Sequence, residues 1–385
     1  MKICVIGDFI TDIYVFGEVS RISPESPIPI FNKLDQQTRS GGAGNVVSNL
    51  QSLGSDVVTY GSYNSIKYRY VTNNHILFRM DDEQYVANNF KPDYNLSDVK
   101  YVILSDYNKG FLHKSQDVID YCKSKDCVVI VDPKKSIENY RNADIVKLNE
   151  KELKQYCLGY SNYDDILYKN KIGSLVVTLG SKGAQIISPG RIINIEADQH
   201  QVSDVTGAGD IFIAVLTHFL SRGIDVEQAV RKAVKLASIS VTKFGTYVLQ
   251  PEDIKKAYTI FTNGCFDILH KGHVEYLKQS KQLGDKLIVG LNSDTSVKKL
   301  KGDDRPINNQ QDRKAVLESL DCVDEVIIFD EDTPYELIKQ IQPDIITKGG
   351  DYTVDTVVGN DITDVVIIPY VEGYSTSRVL RKLNG

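Results

Sequence analysis

Two stretches of this chain hold residues whose types and spacing could move phosphate. In Ser203-Asp-Val-Thr-Gly-Ala-Gly-Asp-Ile-Phe212 a glycine-rich turn runs into an apolar helix, with a carboxylate at the junction. Across Thr206, Gly207, Ala208 and Gly209 the backbone N–H groups can converge on an anion, and the helix that begins there adds the positive end of its dipole. Asp210 can accept the proton of a sugar hydroxyl as that hydroxyl attacks a γ-phosphorus, while the amides meet the charge on the phosphoryl group. The plainer alternative is a helix start with Asp210 as dipole partner.

The second stretch is Thr262-Asn-Gly-Cys-Phe-Asp-Ile-Leu-His-Lys-Gly-His273, a strand end followed by two histidines. His270 and His273 can stand together at a strand-to-helix turn, with Gly272 letting phosphates approach the backbone. Two imidazole N–H donors suit an α-phosphate that gains charge as pyrophosphate leaves. A metal pair is the rival, but helical metal pairs usually sit four residues apart and these sit three apart with a glycine inside. Near the C-terminus, Glu372-Gly-Tyr-Ser-Thr-Ser-Arg378 sets the hydroxyls of Ser375, Thr376 and Ser377 at a helix start where phosphates bind. Capping by Ser375 is compatible with that role. Arg378 and Lys301 are candidate cations for a triphosphate.

Such motifs need a sheet to hold them. Short apolar runs at 2–6, 101–104, 128–131, 145–148 and 175–178 each end in polar or glycine-containing residues. Strand–helix alternation of this kind predicts a parallel sheet with helices on its faces and ligands beyond the strand C-termini. Residues 13–39 differ: Ile28, Ile30 and Phe31 among Pro24, Pro27 and Pro29 suit edge strands or a flap. Gly41-Gly-Ala-Gly-Asn45 then predicts a helix opened by a glycine turn. A boundary is expected near 250–258, dividing a first domain over 1–250 from a second over 258–385. The second repeats the pattern in smaller form, with strands near 259–262, 286–291, 325–329, 344–347 and 365–369.

Bulk properties narrow the class. The chain has 385 residues, long for one core, with 42% hydrophobic and 25% charged residues, an ordinary globular composition. The net charge of −6 argues against nucleic acid as a partner. No apolar run approaches the roughly 20 residues that span a bilayer, and the N-terminus lacks a signal-peptide pattern. Neither a membrane nor a secretory route is expected. Six scattered cysteines predict buried, reduced thiols in a cytoplasmic protein.

A family resemblance joins these pieces. Gly7-Asp8, Asp12, Gly41-Gly42, Asn45, Asn149-Glu-Lys-Glu152, Thr178-Leu-Gly-Ser-Lys-Gly183 and Asp204-Val-Thr-Gly-Ala-Gly-Asp210 occur in the order seen in ribokinase-like sugar kinases. With Val19–Glu25, Leu104-Ser-Asp-Tyr-Asn-Lys-Gly110 and Val131-Asp-Pro-Lys134, the chain resembles the kinase half of bifunctional heptose-7-phosphate kinase/heptose-1-phosphate adenylyltransferases. Residues 259–384 resemble the adenylyltransferase half, through Asn292-Ser-Asp294, Leu300-Lys-Gly302, Arg305-Pro306, Asp312-Arg313, Asp332-Thr-Pro334 and Lys348-Gly-Gly-Asp-Tyr352. Related cytidylyltransferases share both the His-x-x-His and the Ser-Thr-Ser clusters but lack the Lys-Gly-Gly-Asp-Tyr segment, which tilts the base toward adenine.

The resemblance implies a ribokinase-like three-layer α/β fold with a β flap, then a smaller Rossmann-like nucleotidyltransferase domain. It implies Asp210 as base, Gly207 to Gly209 as anion hole, and Thr178 and Gly180 near ATP. Asp8, Asp12, Gly41, Gly42 and Asn45 would contact the sugar. Asn149 and Glu152 would lie near Mg²⁺ carried on the phosphates, with no direct protein ligand to the metal. In the second half it implies nucleotide contacts from Asn263, Gly264, Phe266, Gly272, Asp294, Lys301 and Lys348 and from the Ser375–Ser377 hydroxyls. Sugar phosphate and ATP are the implied substrates, and a homodimer the implied assembly. One departure stands out. After Gly61-Ser-Tyr-Asn-Ser65 the chain runs straight into Ile66-Lys-Tyr-Arg-Tyr-Val71, where the family carries roughly a helix-plus-strand unit. Its loss should remove an edge of the sheet, and it leaves open a chain in which only the nucleotidyltransferase turns over. A third possibility is a nucleotide-sensing regulator that binds ATP at both sites without turnover.

Overall fold

In a computed structural model, residues 2–73, 75–88, 92–197, 204–350 and 352–369 are described. The chain divides into two compact units, Met1–Asp253 and Ile254–Gly385.

Unit 1 opens with two long strands, β1 (Lys2–Ile22) and β2 (Pro29–Gly42), then α1 (Ala43–Ser52), β3 (Val57–Thr72) and β4 (His75–Glu83). A strand–helix series follows: β5 (Val99–Ser105), α2 (Ser115–Lys123), β6 (Val128–Asp132), β7 (Ile145–Asn149), α3 (Glu150–Tyr156), α4 (Tyr163–Asn170) and β8 (Ser174–Thr178). The hairpin β9 (Ala184–Ser188) and β10 (Arg191–Ile195) precedes α5 (Ala208–Ser221) and α6 (Val226–Ser240), and α7 (Pro251–Lys255) spans the unit break. Among the described residues the sheet runs β10-β9-β8-β7-β6-β5-β1-β3-β4, with β2 paired to β1. The stretch from β8 to β3 is parallel. Its strands are near-continuous apolar runs because helices cover both faces.

The first strand corrects the expectation of a short run ending at Ile6. β1 continues through Asp8 to Ile22, since Ile10, Tyr14, Val15 and Phe16 are good strand formers and no proline interrupts before Pro24. Beside it, β3 also passes unbroken from core to flap. Val57–Ser62 pairs in parallel with Ile3–Asp8, and after a register shift Ser65–Val71 pairs with Ile10–Phe16. β4 covers only the flap half, Ser65–Thr72. Val57–Ser62 therefore has no strand on its outer side among the described residues, in keeping with the expected loss of a sheet edge. Period-two alternation sorts the flap into two faces. Asp12, Lys67 and Asp81 oppose one another on one face, while Tyr68, Tyr70, Phe78 and Met80 share the other, with Tyr70 and Phe78 stacked at 4.2 Å.

Unit 2 is a smaller parallel α/β layer: β11 (Thr259–Gly264), α8 (Lys271–Lys281), β12 (Lys286–Asn292), α9 (Asp294–Lys301), α10 (Gln310–Glu318), β13 (Glu325–Phe329), α11 (Tyr335–Ile341), β14 (Ile345–Gly349) and β15 (Asp364–Ile368). The order is β13-β12-β11-β14-β15. From β11 the sheet grows first to one side and then to the other, so the crevice beyond the C-terminal end of β11 is a topological switch point. Apolar clusters pack on both sides of this sheet, one around Leu277, Leu291 and Leu317 and one around Phe261, Ile338 and Ile346.

All six cysteines are free, but Cys157, Cys265 and Cys322 are half-buried rather than buried, because each lies beyond the end of a strand or helix. No helix among the described residues is long and apolar enough to cross a membrane.

Candidate functional site

Asp210 sits in the first turn of α5, 3% exposed. Gly207, the N-cap, has φ +78, a conformation that glycine adopts without a Cβ penalty. Two donors hold the carboxylate. The Tyr107 hydroxyl donates to Oδ1 at 2.5 Å and the Asn45 amide to Oδ2 at 3.0 Å. Burial pushes the Asp210 carboxyl up to about 6; these two hydrogen bonds and Lys147 oppose that, and Asp132 adds to it. Thr206 turns inward on Asp204, whose Oδ1 accepts from both its N–H and its hydroxyl.

The residues expected around the sugar meet where β1, β2 and α1 join. Gly41 lies against Asp12, since a Cβ there would stand 2.3 Å from Asp12 Oδ2. Gly42, at φ +57, opens α1. Asp12 is ion-paired with Arg69 at 2.5 Å, both almost fully buried. Asp8 is more committed than the sequence suggests: its carboxylate accepts the backbone N–H groups of Tyr107, Lys109 and Phe111 at 3.0, 3.0 and 3.1 Å. Asn45, expected at the sugar, turns its amide to Asp210. Glu152 and Asn149 form a reciprocal capping box on α3, a local reason for both residue types. Glu152 also pairs with Lys134. Burial raises its carboxyl, but Lys147, Lys134 and the Asn149 N–H outweigh that and hold it below the usual carboxylate range.

Thr178, Gly180, Ala208 and Gly209 line one cleft of about 200 Å³, with Phe212 and Val241 among its apolar walls. Three groups escaped the sequence reading as site residues. Tyr107 follows β5, Asp132 ends β6, and Lys147 lies within β7. Lys147 pairs with Asp132 at 3.2 Å, both side chains nearly fully buried, and its ammonium lies 2.8 Å from where a Cβ on Gly209 would stand. The available signal for Lys147 was a lysine inside the apolar run Ile145-Val-Lys-Leu148, since a lysine is seldom buried unless paired.

In unit 2, β11 delivers Asn263 and Gly264 to the crevice, and His270 is the N-cap of α8. The His270 and His273 rings stack with centroids 3.9 Å apart, and Phe266 packs edge-on to His273 at 5.4 Å. Phe266 has φ +41, an uncommon conformation for a bulky residue. Burial pushes His273 down to about 4, helped by His270 and Lys301, and burial also lowers His270. Both rings are neutral at pH 7, and a neutral imidazole keeps one N–H to donate. His273 Nδ1 is buried and makes no hydrogen bond among the described residues. Lys348 reaches Asn263 Oδ1 at 2.7 Å, so those two expected residues meet. Gly272 lies in the first turn of α8, and Lys301 ends α9.

Asp294 is held by Arg313 at 2.7 Å. Arg313, fully buried, also donates to the carbonyls of Cys265 and Asn292, and Asp267 takes Arg305 at 2.6 Å. Buried Arg313 and Asp267 and half-buried Arg305 brace this end of the sheet and were not read as site residues. Ser375, Thr376, Ser377 and Arg378 lie outside the described residues.

The sequence profile of pfkB family carbohydrate kinases matches residues 65–253, and that of cytidylyltransferase-like proteins matches residues 261–375. The bifunctional protein HldE of a Nitratiruptor species is 38% identical over 463 aligned residues, covering 99% of this chain and 99% of that protein. HldE of Campylobacter curvus is 35% identical over 460, covering 100% and 98%. Both alignments exceed the length of this chain, so those relatives carry stretches with no counterpart here. The crystal structure of ribokinase from Thermotoga maritima matches with a TM-score of 0.53 at 19% identity, covering 66% of this chain and 97% of that one, a likeness of fold. Near-complete alignment to two-part relatives, with one profile on each part, places the chain in the bifunctional HldE family of carbohydrate kinases joined to nucleotidyltransferases.

Proposed function

We propose that the chain performs two transfers toward ADP-heptose, the first on D-glycero-D-manno-heptose 7-phosphate and the second on heptose 1-phosphate. Unit 1, in a shortened kinase domain, phosphorylates the C1 hydroxyl from ATP. Once a separate hydrolysis has removed the 7-phosphate, unit 2 joins the C1 phosphate of heptose 1-phosphate to AMP from a second ATP, giving ADP-heptose and pyrophosphate. The observation that carries this reading is the near-complete match to bifunctional relatives in a chain that keeps Asp210 buried at its glycine turn.

In the first step Asp210 takes the C1 hydroxyl proton as the oxygen attacks the γ-phosphorus, and the Gly207–Gly209 amides and the α5 dipole meet the phosphoryl charge. Lys147, beside Gly209, adds a cation. The cleft bounded by Thr178 and Gly180 suits the nucleoside of ATP. Gly41, Gly42 and Asp12 frame the sugar, while Asp8 acts through the 107–111 loop. Mg²⁺ supplies charge neutralisation on the phosphates when bound. Both Glu152 oxygens already accept hydrogen bonds, from Lys134 and from the Asn149 N–H, which suits ordering the hydrated ion better than binding it directly.

In the second step no protein base is needed, because a sugar phosphate is an anion at neutral pH. Catalysis is positioning plus charge stabilisation. His270 and His273 donate to the α-phosphate. Lys301, Lys348 and the Ser375–Ser377 hydroxyls meet the other phosphates, with Gly264 and Gly272 allowing close approach. Asn263 and Asp294 position the nucleotide, and Phe266 supports His273. Two ATP-using steps suit the cytoplasm, and the half-exposed outer face of the flap, with Phe78 51% and Met80 45% exposed, supports a homodimer.

Mass spectrometry of products from heptose 7-phosphate and, separately, from heptose 1-phosphate, each supplied with mixed ATP and CTP, tests the scheme. ADP and a sugar bisphosphate are expected from the 7-phosphate and ADP-heptose from the 1-phosphate; CDP-heptose would change the base, and no sugar bisphosphate would remove the first step. A second reading, in which only unit 2 turns over, is favoured by the direct passage of β3 into the flap. It predicts nucleotide transfer to supplied heptose 1-phosphate with no ADP released from the 7-phosphate.

A further inference from the structure

Four elements converge on the Asp210 carboxylate with a donor or a charge. Asn45 comes from α1, Tyr107 from the loop after β5, and the Asp132–Lys147 pair from β6 and β7. The loop that carries Tyr107 is fastened at several points. Asp8 accepts three of its amides, including that of Tyr107 itself. Asp106 accepts the Asn108 N–H at 2.7 Å and the Tyr140 hydroxyl at 2.6 Å, and pairs with Lys135 at 3.0 Å. A loop held this firmly presents the phenol at a fixed place. Lys67 and Lys134 stand over the Tyr107 ring, 5.7 and 5.9 Å from its centroid.

We propose that Tyr107 is a positioning residue for the phosphoryl-transfer base: its hydroxyl and the Asn45 amide grip one Asp210 oxygen each, fixing the carboxylate plane and leaving a lone pair for the substrate hydroxyl. The inference rests on the kinase reading above. A carboxylate has about four acceptor sites over its two oxygens, so two donors still leave room for the incoming proton. In the transfer, the C1 hydroxyl proton goes to Asp210, the C1 oxygen–phosphorus bond forms, the bond from the γ-phosphorus to the ADP oxygen breaks, and ADP departs. Tyr107 keeps its own proton throughout. Burial, and after it Asp210 and Asp132, push the phenol well above its ordinary range, so it is a donor at every working pH. Because a hydrogen bond to the charged form favours that form, Tyr107 also holds the base ionised at lower pH than burial alone would allow.

The test is Tyr107→Phe in the full chain, with ADP release from heptose 7-phosphate and ATP followed from pH 5 to 9. The acid limb of kcat/KM should move to higher pH by about one unit, with about a fivefold loss near pH 6, about tenfold near pH 5, and a loss under about threefold near pH 8.5. Equal loss at every pH, or a profile that superimposes on the wild type, overturns the proposal. Adenylyl transfer to heptose 1-phosphate in the same preparation reports an intact chain. Should Tyr107→Phe fail to fold, fluorotyrosine at 107 keeps the hydroxyl and makes it a stronger donor. The limb should then move to lower pH, and an unmoved limb overturns the proposal equally. A wild-type chain that releases no ADP sinks the kinase reading and this inference together; an active wild type with an unshifted variant sinks this inference alone.

Discussion

Asp210 in unit 1 and His273 in unit 2 are both displaced from their ordinary ionisation by burial, and the two displacements serve different chemistry. Asp210 rises to about 6 with two donors gripping it. His273 falls to about 4 beside His270 and Lys301. In the proposed scheme a sugar hydroxyl must lose a proton to become a nucleophile, which suits a carboxylate that is still ionised at neutral pH yet basic enough to accept it. A sugar phosphate is already anionic, so the second site offers neutral donors and no base. The difference teaches that the acceptor's own acidity decides whether a phosphate-handling site needs a buried carboxylate.

The sharpest way to break that contrast is to exchange the losses. Asp210→Asn should lower phosphorylation of heptose 7-phosphate by on the order of 10²–10⁴-fold, the usual contribution of a general base, and leave adenylyl transfer to supplied heptose 1-phosphate intact. His273→Ala should lower adenylyl transfer by on the order of 10²–10³-fold, as for one lost transition-state donor, and leave the kinase intact. Separate assays of the two half-reactions check both. If either variant loses both activities together, the two chemistries are not independent and the contrast fails.

Much of this pair was legible because its carriers are local in sequence. A glycine turn opening an apolar helix, and two histidines three residues apart after a strand, can be read from a dozen neighbouring residues. The flap was legible from its prolines. What sequence could not show was which side chains converge from separate strands. Tyr107, Asp132 and Lys147 leave β5, β6 and β7, and only the sheet order brings their ends together. The burial of Arg313, which ties Cys265, Asn292 and Asp294, likewise depends on α10 packing across strands. The hydrogen bond from Asn45 to Asp210 was not legible either, because it depends on α5 lying beside α1. The full length of β1 was missed because Gly7 and Asp8 read as an end, when their polarity belongs to a site in the middle of the strand.

A milder test compares the two pH profiles. As the proposed base Asp210 must be ionised to act, so kinase kcat/KM should hold above about pH 6 and fall roughly tenfold per unit as pH drops below it. His273 is uncharged well above about 4, so its protonation should leave adenylyl transfer flat on the acid side down to about pH 5. Steady-state rates of each half-reaction in the same buffers decide the matter. A fall in transferase activity as pH rises through about 6 would mean that an imidazole there works charged, and the two sites would then differ less than their geometry indicates.

The finest test concerns whether the unit 1 phosphates meet backbone alone. Asn149 Oδ1 is committed to capping α3 by accepting the Glu152 N–H at 2.8 Å, but its Nδ2 can still donate. Asn149→Ala removes cap and donor together, and should cost about 1 kcal/mol of unfolding free energy, the usual loss for a cap. Asn149→Asp keeps the capping oxygen, since aspartate caps as well as asparagine does, while replacing the donor with a negative charge. If Asn149 faces the ATP phosphates, Asn149→Asp should unfold at the wild-type temperature yet raise the kinase KM for ATP several-fold. Calorimetry alongside ATP titrations reads both quantities. An unchanged KM with unchanged stability would return Asn149 to capping alone, and leave phosphate recognition in unit 1 to the Gly207–Gly209 amides and Lys147. That outcome would widen the contrast with unit 2, where side-chain imidazoles carry the task.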